Sequence, residues 1–429
     1  MAILTPSRPP RPSGRTKRPA QQTTLAGRAA GWLDHPMADT VMVLVPTMIL
    51  LGLGFLMVWS ASTVYGHSQF GDAFFFIRRH AVFLVAALVA GFVASRIPTD
   101  RLRVLAWVFY ALAGVLLCLT FVPGLGYGVG GNKNWINLGG EGSMLRLQPA
   151  EFAKLSLVVW GSAVLANKRR LLDQPKHLLI PFVPFGLLLV GLVVLQRDLG
   201  TAMVLGAMVL AILFCVGASW RVLGSMILAV AVAVAGLVAL NTSRINRILG
   251  FLDPSADPTG INHQPLQALY GLASGGWLGV GLGRSRQKWG SLSEAHTDYV
   301  LAVVGEELGL MGTLMVIVLF LILAWGGMRI ALRSSTFFSR LVASGITTWL
   351  LLQALVNIMV VLRLLPVLGV PLPFLSYGGS ALVANVIAVG ILVACAREEP
   401  AAKVWLRRRR KAQAQRPRLS AILPTRRRS

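Results

Sequence analysis

Long apolar runs that recur along almost the whole chain constrain its fold more than any other feature. Each run is about as long as an α-helix that crosses the hydrocarbon core of a bilayer, and charged residues cluster between the runs. Only 13% of the residues are charged, which is about half the fraction typical of soluble proteins. The sequence therefore predicts an all-α, polytopic membrane protein. Ten transmembrane helices are expected, at about residues 39–60, 80–97, 104–122, 149–167, 178–195, 199–218, 222–241, 299–325, 341–361 and 380–396.

An even number of spans places both termini on the same side of the membrane. The short loops on that side are rich in arginine and lysine, which predicts that this side is cytoplasmic. We expect a membrane domain over residues 38–396, between two basic, disordered cytoplasmic tails at 1–37 and 397–429. The opposite, extracytoplasmic side carries the long connections, of which 242–298 is the largest; the others are 123–148 and 362–379.

The formal net charge of +25 does not indicate a nucleic-acid-binding protein, because much of it lies in the two tails. Basic tails of membrane proteins enforce topology and contact anionic lipid. The three cysteines lie far apart in apolar runs, so no disulfide framework is expected. The six histidines are scattered, and neither zinc-like spacing nor a GxSxG or Walker pattern occurs.

The segment EAHTDYVLAVVGEELG, residues 294–309, begins a predicted span with one carboxylate and carries two more inside it. A charged group near lipid costs several kcal/mol unless something compensates it. Asp298 is therefore the best isolated candidate for proton chemistry. The alternative is that Thr297 or Asp298 caps the helix. For Glu306 and Glu307 we expect a structural role facing the bundle first.

A second polar pair lies in LQPAEFAKLSL, residues 147–157, where Pro149 fits the first turn of a helix. Glu151 and Lys154 are three residues apart and share one helix face. They either form a self-neutralising ion pair or line a polar cavity that opens to the extracytoplasmic side.

Four polar stretches lie in the predicted extracytoplasmic connections. Trp135, in VGGNKNWINLGG, is either an interfacial anchor or a stacking surface for a sugar ring. The stretch GLASGGWLGVGLGRSRQK, 271–288, either hugs the membrane or holds a phosphate through backbone N–H groups and basic side chains. Asp198, in LQRDLGT, is expected to cap a helix and pair with Arg197. PLPFLSYGGS, 371–380, which ends at Ser380, predicts a non-helical segment that caps the last span.

Several of these strings occur together, in the same order, in the SEDS family (shape, elongation, division and sporulation) of peptidoglycan glycan-chain polymerases. The chain resembles this family over about residues 40–396, and its division branch more than its elongation branch. Asn134 departs from the family pattern, in which an arginine commonly stands there, whereas the Asp298 string is intact. The matching strings are LQPAEFAKL (147–155), DLGT (198–201), GLGRSRQK (281–288), EAHTDYVLAVVGEELG (294–309) and PLPFLSYGGS (371–380).

The resemblance implies a multi-pass enzyme of the bacterial cytoplasmic membrane that polymerises lipid II at the division septum. Lipid II is a disaccharide-pentapeptide on undecaprenyl diphosphate, and the reaction inverts the anomeric carbon and releases the diphosphate. Asp298 is implied as the general base. Glu151 would orient Lys154 or hold a cation, and Trp135 would contact sugar. The other substrate-binding candidates, mostly for the diphosphate, are Lys154, Arg79, Arg286, Lys288 and Ser376.

The resemblance also implies partners and leaves alternatives open. A class B penicillin-binding protein would supply the transpeptidase, and other division proteins are expected to bind. A divalent cation (Mg or Mn) could bridge the diphosphate, although the sequence contains no recognisable ligand set. The two alternative functions are a lipid II flippase and a non-catalytic division scaffold.

Overall fold

The computed structural model describes residues 33–129, 132–137, 139, 146–240, 242–253, 260, 262–289, 292 and 295–414. Residues 1–32 of the predicted N-terminal tail, residues 415–429 of the predicted C-terminal tail and Glu294 of the Asp298 string lie outside the described residues. The regular structure is almost entirely helical, which confirms the all-α membrane fold. In chain order the helices are α1 (Ala38–Phe70), α2 (Phe75–Ala94), α3 (Thr99–Val104), α4 (Ala106–Leu119), α5 (Pro149–Asn167), α6 (Pro175–Leu179), α7 (Phe182–Leu195), α8 (Leu199–Val216), α9 (Trp220–Ala239), α10 (Thr242–Leu252), α11 (His263–Gly275), α12 (Val300–Arg333), α13 (Phe337–Val361), α14 (Gly379–Arg397) and α15 (Pro400–Ala414), with a 3₁₀ turn at Arg169–Leu171.

Within the described part of the chain, nine helical segments are long and apolar enough to cross a membrane. They correspond to nine of the ten predicted spans. The predicted span 104–122 is α4, a shorter apolar helix of 14 residues, which measures about 21 Å. The protein is therefore a multi-pass membrane protein, while the count of ten stays a prediction.

The centre of the bundle is formed by α5, α13 and α14. Of the most apolar window of α5 and of α14, 83% is buried, whereas only 6% is buried in α9, so α9 lies at the edge of the bundle. α14 packs against α2, and α12 packs against α1 and α13. Gly390 permits the α2–α14 approach, because a β-carbon there would lie 2.3 Å from the Gly91 carbonyl oxygen.

The two ends of the bundle differ in their connections. The end that carries the described residues of 123–148, 242–299 and 362–378 is called the loop end, and the end that carries residues 33–37 and 397–414 is called the terminal end. At the terminal end, Arg329 holds the start of α1, since its Nε lies 2.6 Å from Asp39 Oδ1 and its Nη2 donates to the Leu33 carbonyl.

A small antiparallel sheet lies at the loop end, where the sequence predicted only an irregular connection. It consists of β1 (Gly126–Val129), β2 (Asn132–Asn137) and β3 (Arg146–Leu147), in the order β1-β2-β3. The backbone N–H of Lys133 donates to the Gln196 carbonyl at 3.1 Å. This contact joins the sheet to the turn between α7 and α8.

One predicted boundary needs correction. The basic segment after the last span was expected to be disordered from residue 397, but Pro400–Ala414 forms α15. Two contacts hold the start of this helix. Ala402 is fully buried against the bundle, and the preceding residue Glu398 accepts hydrogen bonds from the backbone N–H and the hydroxyl of Thr99, at the start of α3. Charge density alone therefore gave the wrong prediction for these residues.

Candidate active site

Asp298 lies half-buried at the loop end, in the turn that immediately precedes α12. Because α12 begins at Val300 with Tyr299 as its N-cap, neither Thr297 nor Asp298 occupies the capping position. The capping alternative was therefore wrong for both residues. The Asp298 side chain points towards Gly369, where a β-carbon would lie 3.7 Å from Oδ2.

The main chain of this turn is held from two sides. Asn357 of α13 donates one hydrogen bond to the Asp298 carbonyl and one to the Val370 carbonyl, each at 2.8 Å. The Tyr377 backbone N–H donates to the His296 carbonyl at 2.8 Å. These contacts fix the position of the backbone at Asp298.

An aromatic cluster surrounds His296, and no motif in the sequence predicted it. The imidazole packs against Tyr65, Phe76 and Tyr377, with ring centroids 4.8 to 5.6 Å apart. Burial lowers the pKa of His296 to about 4, so the ring is neutral at neutral pH. His296 therefore contributes packing and backbone contacts beside Asp298 without adding positive charge.

Positive charge near Asp298 comes from Arg247 and Arg363, two basic residues of the predicted extracytoplasmic connections. Burial, reinforced by the Asp298 charge, raises the pKa of Tyr299, and Arg247 of α10 opposes that shift. Arg247 and Arg363 both line a small cavity between α10 and the loop after α13. Arg363 also donates to the Gly250 carbonyl at 3.1 Å, which ties the two segments together.

Arg79 and Tyr377 connect α2 to the same region. Burial raises the pKa of the Tyr377 hydroxyl, and the positive charges of Arg79 and Arg146 oppose that shift, so both guanidinium groups act on this tyrosine. Since Tyr377 touches His296, the structure brings the predicted residue Arg79 into the neighbourhood of the Asp298 turn.

Glu151 and Lys154 form a buried ion pair, which was the simpler of the two predicted alternatives. Lys154 Nζ lies 2.8 Å from Glu151 Oε1 and 2.8 Å from Gln353 Oε1, and each member of the pair is 1% exposed. The ammonium group also lies 5.5 Å from the centroid of the Trp349 ring. Gln353 also links the pair to the loop end by donating to the Pro371 carbonyl at 3.0 Å.

The glycine-rich stretch pairs with a break in α12. Gly309 has φ 69° and ψ −167°, a conformation that interrupts the helix. The neighbouring loop supplies partners for the freed backbone groups: Val280 N–H donates to the Glu306 carbonyl at 2.9 Å, and Leu310 N–H donates to the Gly276 carbonyl at 2.9 Å. Gly279 makes this approach possible, since a β-carbon there would lie 2.2 Å from the Glu307 carbonyl oxygen.

The backbone N–H groups that were expected to hold a phosphate bind the protein's own carboxylates. Arg286 N–H donates to Glu306 Oε1 at 2.7 Å, and the Ser285 hydroxyl donates to Glu306 Oε2. Lys288 is buried, with Nζ 3.2 Å from Glu307 Oε1 and 3.0 Å from Ser60 Oγ. These N–H groups and Lys288 therefore have internal partners, and the structural role expected of the two glutamates fits these contacts. A phosphate contact by the exposed Arg286 side chain stays a prediction.

The remaining predicted residues have diverse surroundings. The Arg286 side chain is exposed, and Trp135 is half-buried in β2, opposite Tyr127 of β1. Ser376 is buried, and its hydroxyl accepts the Leu372 N–H at 2.8 Å, which closes a turn of the 371–380 segment. Ser376 thus has a structural partner, whereas a substrate contact for Trp135 or Arg286 stays a prediction.

Two capping predictions had different outcomes. Asp198 caps α8 by accepting the Thr201 N–H at 3.0 Å, as expected, but its second oxygen accepts from Asn134 Nδ2 at 2.8 Å. The expected partner Arg197 forms no ion pair with it in the described part of the chain. The cap predicted from the 371–380 segment agrees in position only: Gly378 is the N-cap of α14 and supplies no side chain, while the Ser380 hydroxyl accepts the Gln148 N–H.

Among the residues that the structure describes, no group of three or more histidine, cysteine, aspartate or glutamate side chains is arranged to hold a metal ion. The adjacent carboxylates Glu306 and Glu307 are occupied by the loop contacts given above.

The architecture and the position of these strings can be compared with known proteins. A family profile described as a cell cycle protein family, comprising FtsW, RodA and SpoVE, matches residues 40–401. The chain belongs to this family. The membership confirms the resemblance that the motifs indicated.

Two curated relatives illustrate the match. The probable peptidoglycan glycosyltransferase FtsW of Mycobacterium tuberculosis (strain ATCC 25618 / H37Rv) is 36% identical over 380 residues, which cover 89% of this chain and 72% of that protein. The stage V sporulation protein E of Bacillus subtilis (strain 168) is 35% identical over 362 residues, which cover 84% of this chain and 97% of that protein. The name FtsW of the first relative agrees with the predicted division branch.

Two solved structures are similar in fold. One comes from work described as the structural coordination of polymerization and crosslinking by a peptidoglycan synthase complex; it has a TM-score of 0.67 and 28% identity, and the match covers 83% of this chain and 97% of that one. The other is the crystal structure of the rod shape determining protein RodA of Thermus thermophilus, with a TM-score of 0.61, 28% identity, and coverage of 86% and 99%.

Proposed function

We propose that this protein is a peptidoglycan glycosyltransferase that polymerises lipid II into glycan chains during cell division. The observation that carries the proposal is the setting of Asp298: a half-exposed carboxylate on a backbone held by Asn357 and by the Tyr377 contact to His296, in a family whose relatives are named as such enzymes.

The proposed step is a single displacement at the anomeric carbon of the donor. Asp298 accepts the proton of the acceptor 4-hydroxyl as the new glycosidic bond forms. The bond from the anomeric carbon to the diphosphate oxygen breaks at the same time, and undecaprenyl diphosphate leaves. Because the attack comes from the opposite face, an α-linked donor gives a β-linked polymer.

The leaving diphosphate requires positive charge in a region of low dielectric constant. Arg79 and Arg286 are proposed to supply it, and Arg247 and Arg363 are further candidates because they line the cavity near the Asp298 turn. Lys154 and Lys288 are buried in ion pairs. We therefore assign both lysines a positioning role rather than direct contact with the diphosphate.

The setting of the reaction is proposed from the family. The loop end would face the outside of the cytoplasmic membrane, both termini would be cytoplasmic, and the enzyme would act at the septum with other division proteins. A class B penicillin-binding protein is the proposed partner, in line with the peptidoglycan synthase complex that contains a chain of similar fold.

The test is polymerisation of fluorescent lipid II by purified protein in proteoliposomes, with and without the transpeptidase partner and with EDTA. Asp298→Asn is expected to abolish polymer ladders while its elution profile and melting temperature stay unchanged. The matched control is Asp72→Asn, an acidic residue of the loop end whose salt bridge to Arg78 is exposed; it should retain activity.

Polymer synthesis by Asp298→Asn would refute the assignment of the base. Translocation of lipid II without polymer, by the unmodified protein with its partner, would instead indicate a flippase. Growth supported by Asp298→Asn in cells would indicate a scaffold.

A further inference from the structure

A basic cavity lies at the terminal end of the bundle, far from Asp298. It has a volume of about 220 Å³ and is formed where the loop after α2 meets the end of α14 and the start of α15. α14 runs from beside the Tyr377 segment to this cavity over 19 residues, a distance of about 28 Å. The cavity is therefore separate from the candidate active site.

Cationic side chains dominate the lining of this cavity. Four of them contribute to it: Arg96, Arg397, Lys403 and Arg407. Glu398 is the one carboxylate in the lining, and its two oxygens accept hydrogen bonds from Thr99. Within the described residues, neither Lys403 nor Arg407 forms a salt bridge, and the two side chains are exposed. Four cations against one engaged carboxylate make a site that an anion would stabilise.

The apolar part of the lining indicates which anion fits. Ile97, Ala394 and Leu406 form part of the wall. Ile97 also lines a neighbouring cavity of about 430 Å³ between α2, α4, α5 and α14, whose lining is apolar apart from Ser156. A basic cavity that shares a wall with an apolar one suits a molecule with a charged head and a hydrocarbon chain.

We propose that the basic cavity binds the phosphodiester headgroup of an anionic phospholipid, with an acyl chain in the adjoining apolar cavity. Lys403 and Arg407 point charge at the phosphate from α15, and Arg96 does so from the loop after α2. Arg397 donates to the Ser95 carbonyl at 3.2 Å and so holds the two segments together. Basic pockets beside membrane helices are established binding sites for such headgroups in general.

The experiment is native mass spectrometry of the purified full chain, titrated with dioleoyl phosphatidylglycerol or dioleoyl phosphatidylcholine. The double variant Lys403→Gln/Arg407→Gln is compared with Arg408→Gln/Lys411→Gln, which removes the same charge from the same helix outside the cavity lining. Loss of the two cations that line the cavity is expected to weaken phosphatidylglycerol binding roughly 30-fold. The control pair lies outside the lining, where solvent and salt screen its charge, and its loss should weaken binding less than about threefold.

Three results would overturn the proposal. Equal losses in the two double variants would mean that binding follows overall charge rather than this cavity. Equal retention of phosphatidylcholine would mean that the anionic headgroup is not recognised. If glycerol 3-phosphate competed as effectively as the dioleoyl lipid, the acyl chains would contribute nothing to the affinity. The site would then be assigned to a soluble phosphate compound. All four substituted side chains are exposed on α15, so their replacement should not disturb the packing of the bundle. Circular dichroism checks that each variant folds.

Discussion

Two buried lysine–glutamate pairs lie in different parts of this protein, and they have different structural roles. Lys154 and Glu151 are three residues apart in α5, with 2.8 Å between Nζ and Oε1. Lys288 and Glu307 are 3.2 Å apart and join the loop 276–289 to α12. The first pair neutralises charge within one central helix, whereas the second fastens a loop to a broken helix.

The comparison separates two reasons for placing charge in a membrane protein. Removing one member of a pair that lies in the bundle leaves a charge that cannot reach water, because the surrounding helices do not move apart. Removing one member of a pair beneath a loop lets the loop open and admit water. The core pair should therefore control whether the bundle folds, and the loop pair should control how well one segment is held.

The largest expected effect is that of Lys154→Met. It leaves the Glu151 carboxylate buried without a cation, which costs about 3–5 kcal/mol in the free energy of unfolding. Unfolding in mixed micelles of dodecyl sulfate measures this cost. The double variant Glu151→Gln/Lys154→Met should regain most of the loss, and a double variant as unstable as the single one would contradict the pairing account.

Lys288→Met should have a smaller effect, about 2 kcal/mol, because Glu307 keeps its hydrogen bond from the Ser60 hydroxyl. Hydrogen exchange should rise in residues 276–289 and around Gly309 and stay unchanged in α5. Arg284→Met is the matched control, since Arg284 belongs to the same loop and its side chain is exposed. If exchange rose throughout the bundle, the two pairs would not differ as argued.

Ser60→Ala should have the smallest effect, about 1 kcal/mol. It removes one hydroxyl that bonds both members of the loop pair, at 2.6 Å to Glu307 Oε1 and 3.0 Å to Lys288 Nζ. Ser62 is a matched control in the same helix, because its buried hydroxyl has no hydrogen-bond partner among the described residues. Ser62→Ala should therefore be nearly neutral, and equal destabilisation by both variants would remove Ser60 from the loop contact.

Much of the helical architecture could be predicted, because the hydropathy of a run is a local property of the sequence. The Glu151–Lys154 pair could be predicted for the same reason, since two residues that are three positions apart in a helix lie next to each other on one face. The helix at Pro400–Ala414 was missed because its composition resembles a disordered tail, while its order depends on the burial of Ala402 and on the Glu398–Thr99 contact.

The candidate site was predictable only in part. The string around Asp298 is contiguous and could be recognised. Asn357 could not be, because 59 residues separate it from the carbonyl that it bonds. The internal use of the glycine-rich loop depends likewise on Gly309, whose break in α12 has no hydropathy signature. Contacts between segments that are far apart in the chain could not be predicted from the sequence.

The break at Gly309 also has a mechanical consequence. The nine residues from Val300 to Leu308 are tied by backbone bonds to the loop at 276–281, and the turn with Asp298 is continuous with them. The same loop also accepts hydrogen bonds from the N–H groups of Leu310 and Met311, beyond the break, so it bridges both halves of α12 across Gly309. A displacement of the loop would therefore act on the half that leads to Asp298 and on the membrane-spanning half together.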